Sequence, residues 1–301
     1  MGMQKHSASS SHGLPGSVHG IDSQGGRRVL ETLKKRTRKG KEPMTRSITK
    51  QFLICLVVWM AGCCATQPNT ITQVSTIDAI LAGAYDGQMT CEELLSYGDF
   101  GVGTFDRLDG EMILLDGKLY QVRYDGTVCS PPLGLTTPFA SVVPFGADTT
   151  KEVQRGTDYH GLETIVNEAV PNMNTFCAVK VTGRFSTVQT RSVPPQDKPY
   201  PPLTEVTKHQ PVFDLSSVSG TIVGFRSPSY VKGIGVPGYH LHFISDDAES
   251  GGHILHFTLE EGIAEIDICN RFFMILPEGE SDFGRIDLSR DRSKDLEQSE
   301  R

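Results

Sequence analysis

The spacing of hydrophobic and polar positions changes period several times along the chain, and each change marks an element. Ile77, Ile80, Leu81 and Ala84 follow Ser75 at helical spacing, which predicts a short helix. Thr90-Cys91-Glu92-Glu93 has the pattern of a capping box, in which the Thr and the Glu satisfy each other's free backbone N–H groups. It opens a second short helix that carries Leu94 and Leu95 and stops at Gly98. From Phe100 the chain turns to alternation and short apolar runs. Residues 112–115, 119–124 and 139–145 predict strands, with Asp109-Gly110, Asp116-Gly117 and Asp125-Gly126 as tight turns between them, a β-meander. Residues 161–170 predict a helix ended by Pro171, and residues 176–189 a strand with a break near Gly183. Farther on, residues 220–226, 239–244, 253–259, 263–268 and 271–276 read as a second, antiparallel sheet, followed by a charged tail over 284–301. The expected class is α+β: two β-sheet-rich subdomains, a mixed N-terminal sheet and an antiparallel C-terminal sheet, with a few short helices.

The same pattern divides the chain. Residues 1–43 are polar, Ser/Gly-rich and basic from Lys34 to Lys41, too poor in apolar surface to fold alone. The basic run is a solvated tail in preference to a nucleic-acid contact. At Met44 a new pattern begins: Arg46 and Lys50, then an apolar run over 52–61 that is short of the ~20 residues a membrane-spanning helix needs. It ends in Met60-Ala61-Gly62-Cys63, so residues 44–63 read as a secretory signal of lipoprotein type, with Cys63 as the lipidated residue. Met44 is then the expected start, and residues 1–43 an upstream extension. The alternative is a short membrane anchor that is never cleaved. The expected location is the periplasmic or extracellular face of a membrane, or the cytoplasm if the signal is not used. Residues 64–75 read as a linker. The Pro-rich stretch 191–203 cannot hold a sheet ladder and is the expected boundary between subdomains 76–190 and 191–301.

Composition narrows the function classes. A length of 301 residues allows a sizeable core, and 31 Gly with 17 Pro suits a turn-rich β protein. A formal net charge of −7 argues against a broad nucleic-acid footprint. The seven cysteines contain no CxxC pair, so neither a zinc ribbon nor a thioredoxin-like motif is supported. Export would permit a disulfide among Cys91, Cys129, Cys177 and Cys269. There is no P-loop and no GxGxxG unit; Gly101-Val102-Gly103 lacks the third glycine.

The sharpest chemistry lies in Gly238-Tyr239-His240-Leu241-His242-Phe243-Ile244 and Gly251-Gly252-His253. On a strand, His240 and His242 project to one face, with Leu241 and Phe243 on the other. The Asp-Asp to Gly-Gly segment supplies a reversal, and His253 begins a return strand beside the first. Three imidazoles with an open fourth position are the donor set of a catalytic zinc, although a thiol-free site also suits other divalent metals. His256, three residues past His253, faces the other way and is expected to pack; His160 and His209 are expected to be solvent-facing or structural.

Tyr97-Gly98-Asp99-Phe100-Gly101-Val102-Gly103-Thr104-Phe105 with Leu108-Asp109-Gly110-Glu111, then Arg191-Ser192-Val193-Pro194-Pro195-Gln196 with Lys198-Pro199-Tyr200, the 220–226 stretch and the 236–243 stretch together resemble the α-acetolactate decarboxylases. The resemblance runs in consistent order over about residues 75–301. It implies zinc on His240, His242 and His253, catalytic roles for Glu111, Arg191 and a tail Glu, and Thr104 as a substrate-pocket residue. Glu300 is preferred for the tail residue, with Glu297 as the alternative. It further implies decarboxylation of (S)-2-acetolactate to (R)-acetoin, and a homodimer. The ion would act as a Lewis acid, Arg191 would clamp the carboxylate, and Glu111 and Glu300 would move protons. Two other classes stay open: a zinc-dependent hydrolase on the same scaffold, and a non-catalytic metal-binding lipoprotein.

Overall fold

The computed structural model describes residues 67–279 and 281–300. The extension at 1–43, the signal at 44–63 and its Cys63 lie outside the described residues. Thr70-Ile71-Thr72-Gln73-Val74 is a β-branched run, and it forms a fully buried strand, β1 (Thr70–Val74), where a linker was expected. The first helix, α1 (Ile77–Leu81), is capped by the Thr76 side chain. After β2 (Met89–Thr90), the reciprocal capping box of Thr90 and Glu93 opens α2 (Cys91–Leu95), as the sequence predicts. The meander follows as β3 (Phe100–Thr104), β4 (Glu111–Leu115), β5 (Lys118–Val122), β6 (Val128–Cys129), β7 (Thr136–Thr137) and β8 (Ala140–Val143). Then come β9 (Thr149–Val153), α3 (Tyr159–Ala169), β10 (Phe176–Arg191) and α4 (Leu203–Thr207). The chain goes on through β11 (Val212–Ser227), β12 (Gly238–Ser245), β13 (Gly251–Cys269) and β14 (Arg271–Ile275), and ends in α5 (Ser293–Glu300).

Two main sheets result. The first is seven-stranded in the order β14-β1-β8-β3-β4-β5-β6 and is mixed, because β14 runs parallel to β1. The second is antiparallel in the order β10-β11-β12-β13-β9, and β10 also pairs with β13, so four strands close into a ring. Ile71, Phe100, Val102 and Ile113 of the first sheet pack on Ala178, Val223, Phe225 and Ile244 of the second. The interior of the second sheet gathers Val179, Phe185, Phe243 and Leu259 under Leu162 and Val166 of α3. Truncating one of these side chains to Ala would cost about 2–5 kcal/mol.

The sheets do not part company at the Pro-rich stretch. β9 and β10, before it, already belong to the second sheet, while β14, after it, returns to the first. Arg271–Ile275 therefore joins the sheet opposite to the one expected, because its parallel partner β1 lay hidden in the supposed linker. The two runs expected over 253–268 form one continuous strand, β13. Cys91, Cys129, Cys177 and Cys269 are all free thiols. Arg226 is a fully buried cation without a carboxylate. It donates instead to the carbonyls of Val170, Asn172 and Thr175 at the end of α3, which cap it electrostatically. Among the described residues no helix is long and apolar enough to cross a membrane.

Candidate metal and active site

Strand register brings the histidines together. His242 on β12 lies opposite His253 on β13, and His253 lies opposite Arg191 on β10. His240, two residues before His242, shares its face. The three rings stand 5.0, 5.1 and 5.3 Å apart by centroid, and one nitrogen from each lies within 4.8 Å of the others. Gly252 makes this approach possible. Its φ is +128°, and a Cβ there would sit 2.4 Å from the Arg191 carbonyl oxygen. The Gly-Gly pair, expected in the reversal, thus lies inside β13.

The acidic side of the site comes from the first sheet. Thr104 Oγ1 donates to the Gly110 carbonyl at 2.7 Å, closing the β3–β4 connection so that Glu111 opens β4 directly opposite Thr104. Glu111 is 6% exposed and Arg191 4%; Arg191 Nη1 donates to Glu111 Oε1 at 2.8 Å, a charge-assisted bond in a dry setting. Glu111 Oε2 faces His242 Nε2 at 3.5 Å. The tail that was expected as a charged run is helical. α5 brings Glu300 Oε2 to 3.5 Å from His240 Nε2 and 3.9 Å from His253 Nδ1, while Ser299 O accepts from Arg191 Nη2 at 3.0 Å. Glu297 is exposed and points away from the histidines, toward an outer cleft. Thr104, Glu111, Arg191, His240 and Glu300 surround one small cavity walled by Ile77, Leu108, Phe139 and Leu203. The structure therefore assembles His240, His242, His253, Glu111, Arg191, Thr104 and Glu300, leaving Glu297 aside. His256, expected to pack, is exposed at the outer cleft because β13 turns its other face outward there. His160 and His209 are exposed.

Electrostatics fit a cation at the three imidazoles. His242 Nδ1 donates to the Met112 carbonyl at 2.9 Å, which fixes the tautomer and leaves its Nε2 lone pair facing His240 Nε2 at 3.2 Å. Burial holds all three imidazoles below their ordinary pKa, His242 and His253 well below, so they are neutral ligands at neutral pH. His253 Nδ1 and Glu300 Oε2 are buried without hydrogen-bond partners, and both face this point. Two carboxylates against a single guanidinium leave the pocket short of positive charge, and a divalent ion meets both needs. Burial, opposed by Arg191 and helped by Glu300, pushes the Glu111 carboxyl up to about 7. Two contributors carried no sequence signal: the Met112 and Ser299 carbonyls act through the backbone, which any residue supplies.

A closed antiparallel ring that aims three neutral imidazoles at a buried Glu–Arg pair defines a metal-competent β enzyme. Residues 71–290 match the family described as alpha-acetolactate decarboxylase. An alpha-acetolactate decarboxylase of Methanosarcina mazei is 47% identical over 77% of this chain and 81% of its own. That of Bacillus subtilis strain 168 is 42% identical over 77% of this chain and 91% of its own. The crystal structure of alpha-acetolactate decarboxylase from Bacillus subtilis strain 168 superposes with a TM-score of 0.75 at 41% identity, covering 77% of this chain and 99% of that one. The chain belongs to the alpha-acetolactate decarboxylase family, and it is an enzyme of the family's carboxy-lyase type.

Proposed function

We propose that the chain converts (S)-2-acetolactate to (R)-acetoin and CO2 at the cavity between Thr104, Glu111, Arg191 and the three histidines. The observation that carries this reading is the convergence of His240, His242 and His253 beside a buried carboxylate–guanidinium pair. A divalent ion held by those imidazoles, zinc by the donor set, would supply Lewis acidity to the ketone as charge builds on it. Arg191 binds the departing carboxyl group with the N–H groups it has left after bonding Glu111 and Ser299 O. The apolar wall of Ile77, Leu108 and Phe139 lowers the local dielectric and strengthens that contact. Glu111, with a carboxyl held up to about 7, carries the proton that replaces CO2. Glu300 Oε2 accepts the substrate hydroxyl from the opposite side. Purified protein incubated with 2-acetolactate should release acetoin, and an ester or amide panel should give no turnover. Cleavage of the panel without acetoin would favour the hydrolase, and no turnover of either would favour the binding lipoprotein.

The cellular reading is also a proposal. Residues 44–63 would deliver the protein to a membrane, with Cys63 as its lipid anchor. Labelling with a radioactive fatty acid should mark the wild type and not Cys63→Ser; equal labelling of both would reject the anchor. A second copy of this chain is the proposed partner, paired through β14. β14 is an outer strand with no Pro or Lys to block pairing; Phe273 on it is 51% exposed and Leu276 just past its end 45%. Arg271 at one end and Glu278 past the other give an antiparallel twofold pair opposite charges at each end. Phe273→Lys should then sediment as a monomer under conditions where the wild type sediments as a dimer.

A further inference from the structure

The cavity at Glu111, Arg191 and His240 has a volume of about 40 Å³. That is room for about three waters and too little for a branched hydroxy-keto acid. Across α5 lies an open cleft of about 740 Å³, bordered by Tyr159, Tyr239, His256 and Leu296. Glu300 borders both spaces, so α5 is the partition between them. The remaining walls of the small cavity are strands of the two sheets, side chains of α1 and α4, and Leu108, Phe139 and Val193 of the connections, which are buried in the core and cannot move without opening it. α5 differs: it is eight residues long, largely polar, and only Ser299 is fully buried.

The root of this helix is held by charges that take no part in the chemistry. Lys232 Nζ pairs with Asp291 at 3.1 Å, and Asp291 Oδ1 accepts from the Ser293 backbone N–H and hydroxyl in a tight turn just before α5. Arg292 is 7% exposed and donates to the carbonyls of Asp287 and Arg290, folding the approach to the helix back on itself. Asp78 of α1 faces the same cluster; burial raises its pKa, with Arg292 and Lys232 opposing the rise.

We propose that Lys232 and Arg292 are positioning residues, which fix the root of α5 so that Glu300 meets His240 and His253, and that α5 is the wall that lifts to admit substrate from the outer cleft. The passage of substrate rests on the decarboxylase reading, whereas the hold on α5 does not.

Hydrogen exchange on the full chain, read by mass spectrometry, tests the hold directly. Lys232 is half exposed, so Lys232→Ala leaves the core intact. It should raise exchange over 292–300 by up to about fivefold, the range of an exposed ion pair. Arg292→Ala should raise it about tenfold or more, and Arg292→Lys less, while amides of β10–β13 stay as in the wild type. With equal metal content, Arg292→Ala should also lower kcat for 2-acetolactate about tenfold, with KM changed by less than about twofold, as expected when a group acting in the transition state is misplaced. Unchanged exchange in both Ala variants, a rise shared equally by the strands, or faster exchange with unchanged kcat would each overturn the proposal. If the wild type releases no acetoin, the decarboxylase reading fails, and the exchange result still decides whether Lys232 and Arg292 hold α5.

Discussion

Glu111 sits under opposing influences: burial lifts its carboxyl to about 7 while Arg191, 2.8 Å away, stabilises the ionised form. A carboxyl that must give up a proton is spent as pH rises through its pKa, so kcat should fall as pH climbs through about 7. Glu111→Gln should lose about 100-fold or more in kcat and also lose that alkaline limb; a limb that survives in the variant would assign it to another group. Arg191→Ala should cripple turnover with metal still bound, because His242 takes its tautomer from the Met112 carbonyl and none of the three imidazoles bonds the guanidinium. It also strands a buried carboxylate, which costs about 3–5 kcal/mol unless Glu111 takes up a proton. Much of this was legible from residues alone. Alternation put His240 and His242 on one face, and motif resemblance picked out Glu111 and Arg191. What stayed hidden is the backbone's share: Met112 O sets the tautomer of His242, and Ser299 O takes one arm of Arg191.

At the scale of elements, local signals were read well where a side chain enforces the geometry and poorly where a distant partner does. The Thr90–Glu93 capping box and the meander turns are local, and they stand where the sequence places them. β1 was read as a linker because its partners, β8 and β14, lie about 70 and 200 residues away. α5 was read as a tail because its apolar content is low and its anchor is Arg292. Gly252 ties element to site: its left-handed φ and the 2.4 Å approach to Arg191 O leave no place for a side chain. Gly252→Ala should therefore push β13 away from β10, lower thermal stability by about 2 kcal/mol or more, and weaken metal binding. A variant that melts and binds metal like the wild type would show that the β10–β13 approach is slack. Removal of residues 293–301 should spare the melting temperature far more than it spares turnover, since α5 contributes little core and all of Glu300.

For the whole molecule, the two sheets divide the labour: one supplies Thr104 and Glu111, the closed ring of the other supplies Arg191 and the histidines, and the chain's end closes the cavity with Glu300. The class and the antiparallel character of the second sheet were legible from period; the first sheet is mixed only through the β1–β14 pair, neither strand of which the period assigned to it. The partition of strands was not, since β14 and β10 each cross the supposed boundary. Because the family match spans residues 71–290, a chain lacking residues 1–66 should fold and turn over as the full chain does; loss of activity in that variant would tie those residues to the fold. The most direct measurement is a titration of zinc into chelator-stripped protein with acetoin release from 2-acetolactate as the readout. The expected result is a linear rise that breaks at one equivalent per chain in the wild type and no rise in His242→Ala. Full acetoin release from stripped protein before any zinc is added would contradict it.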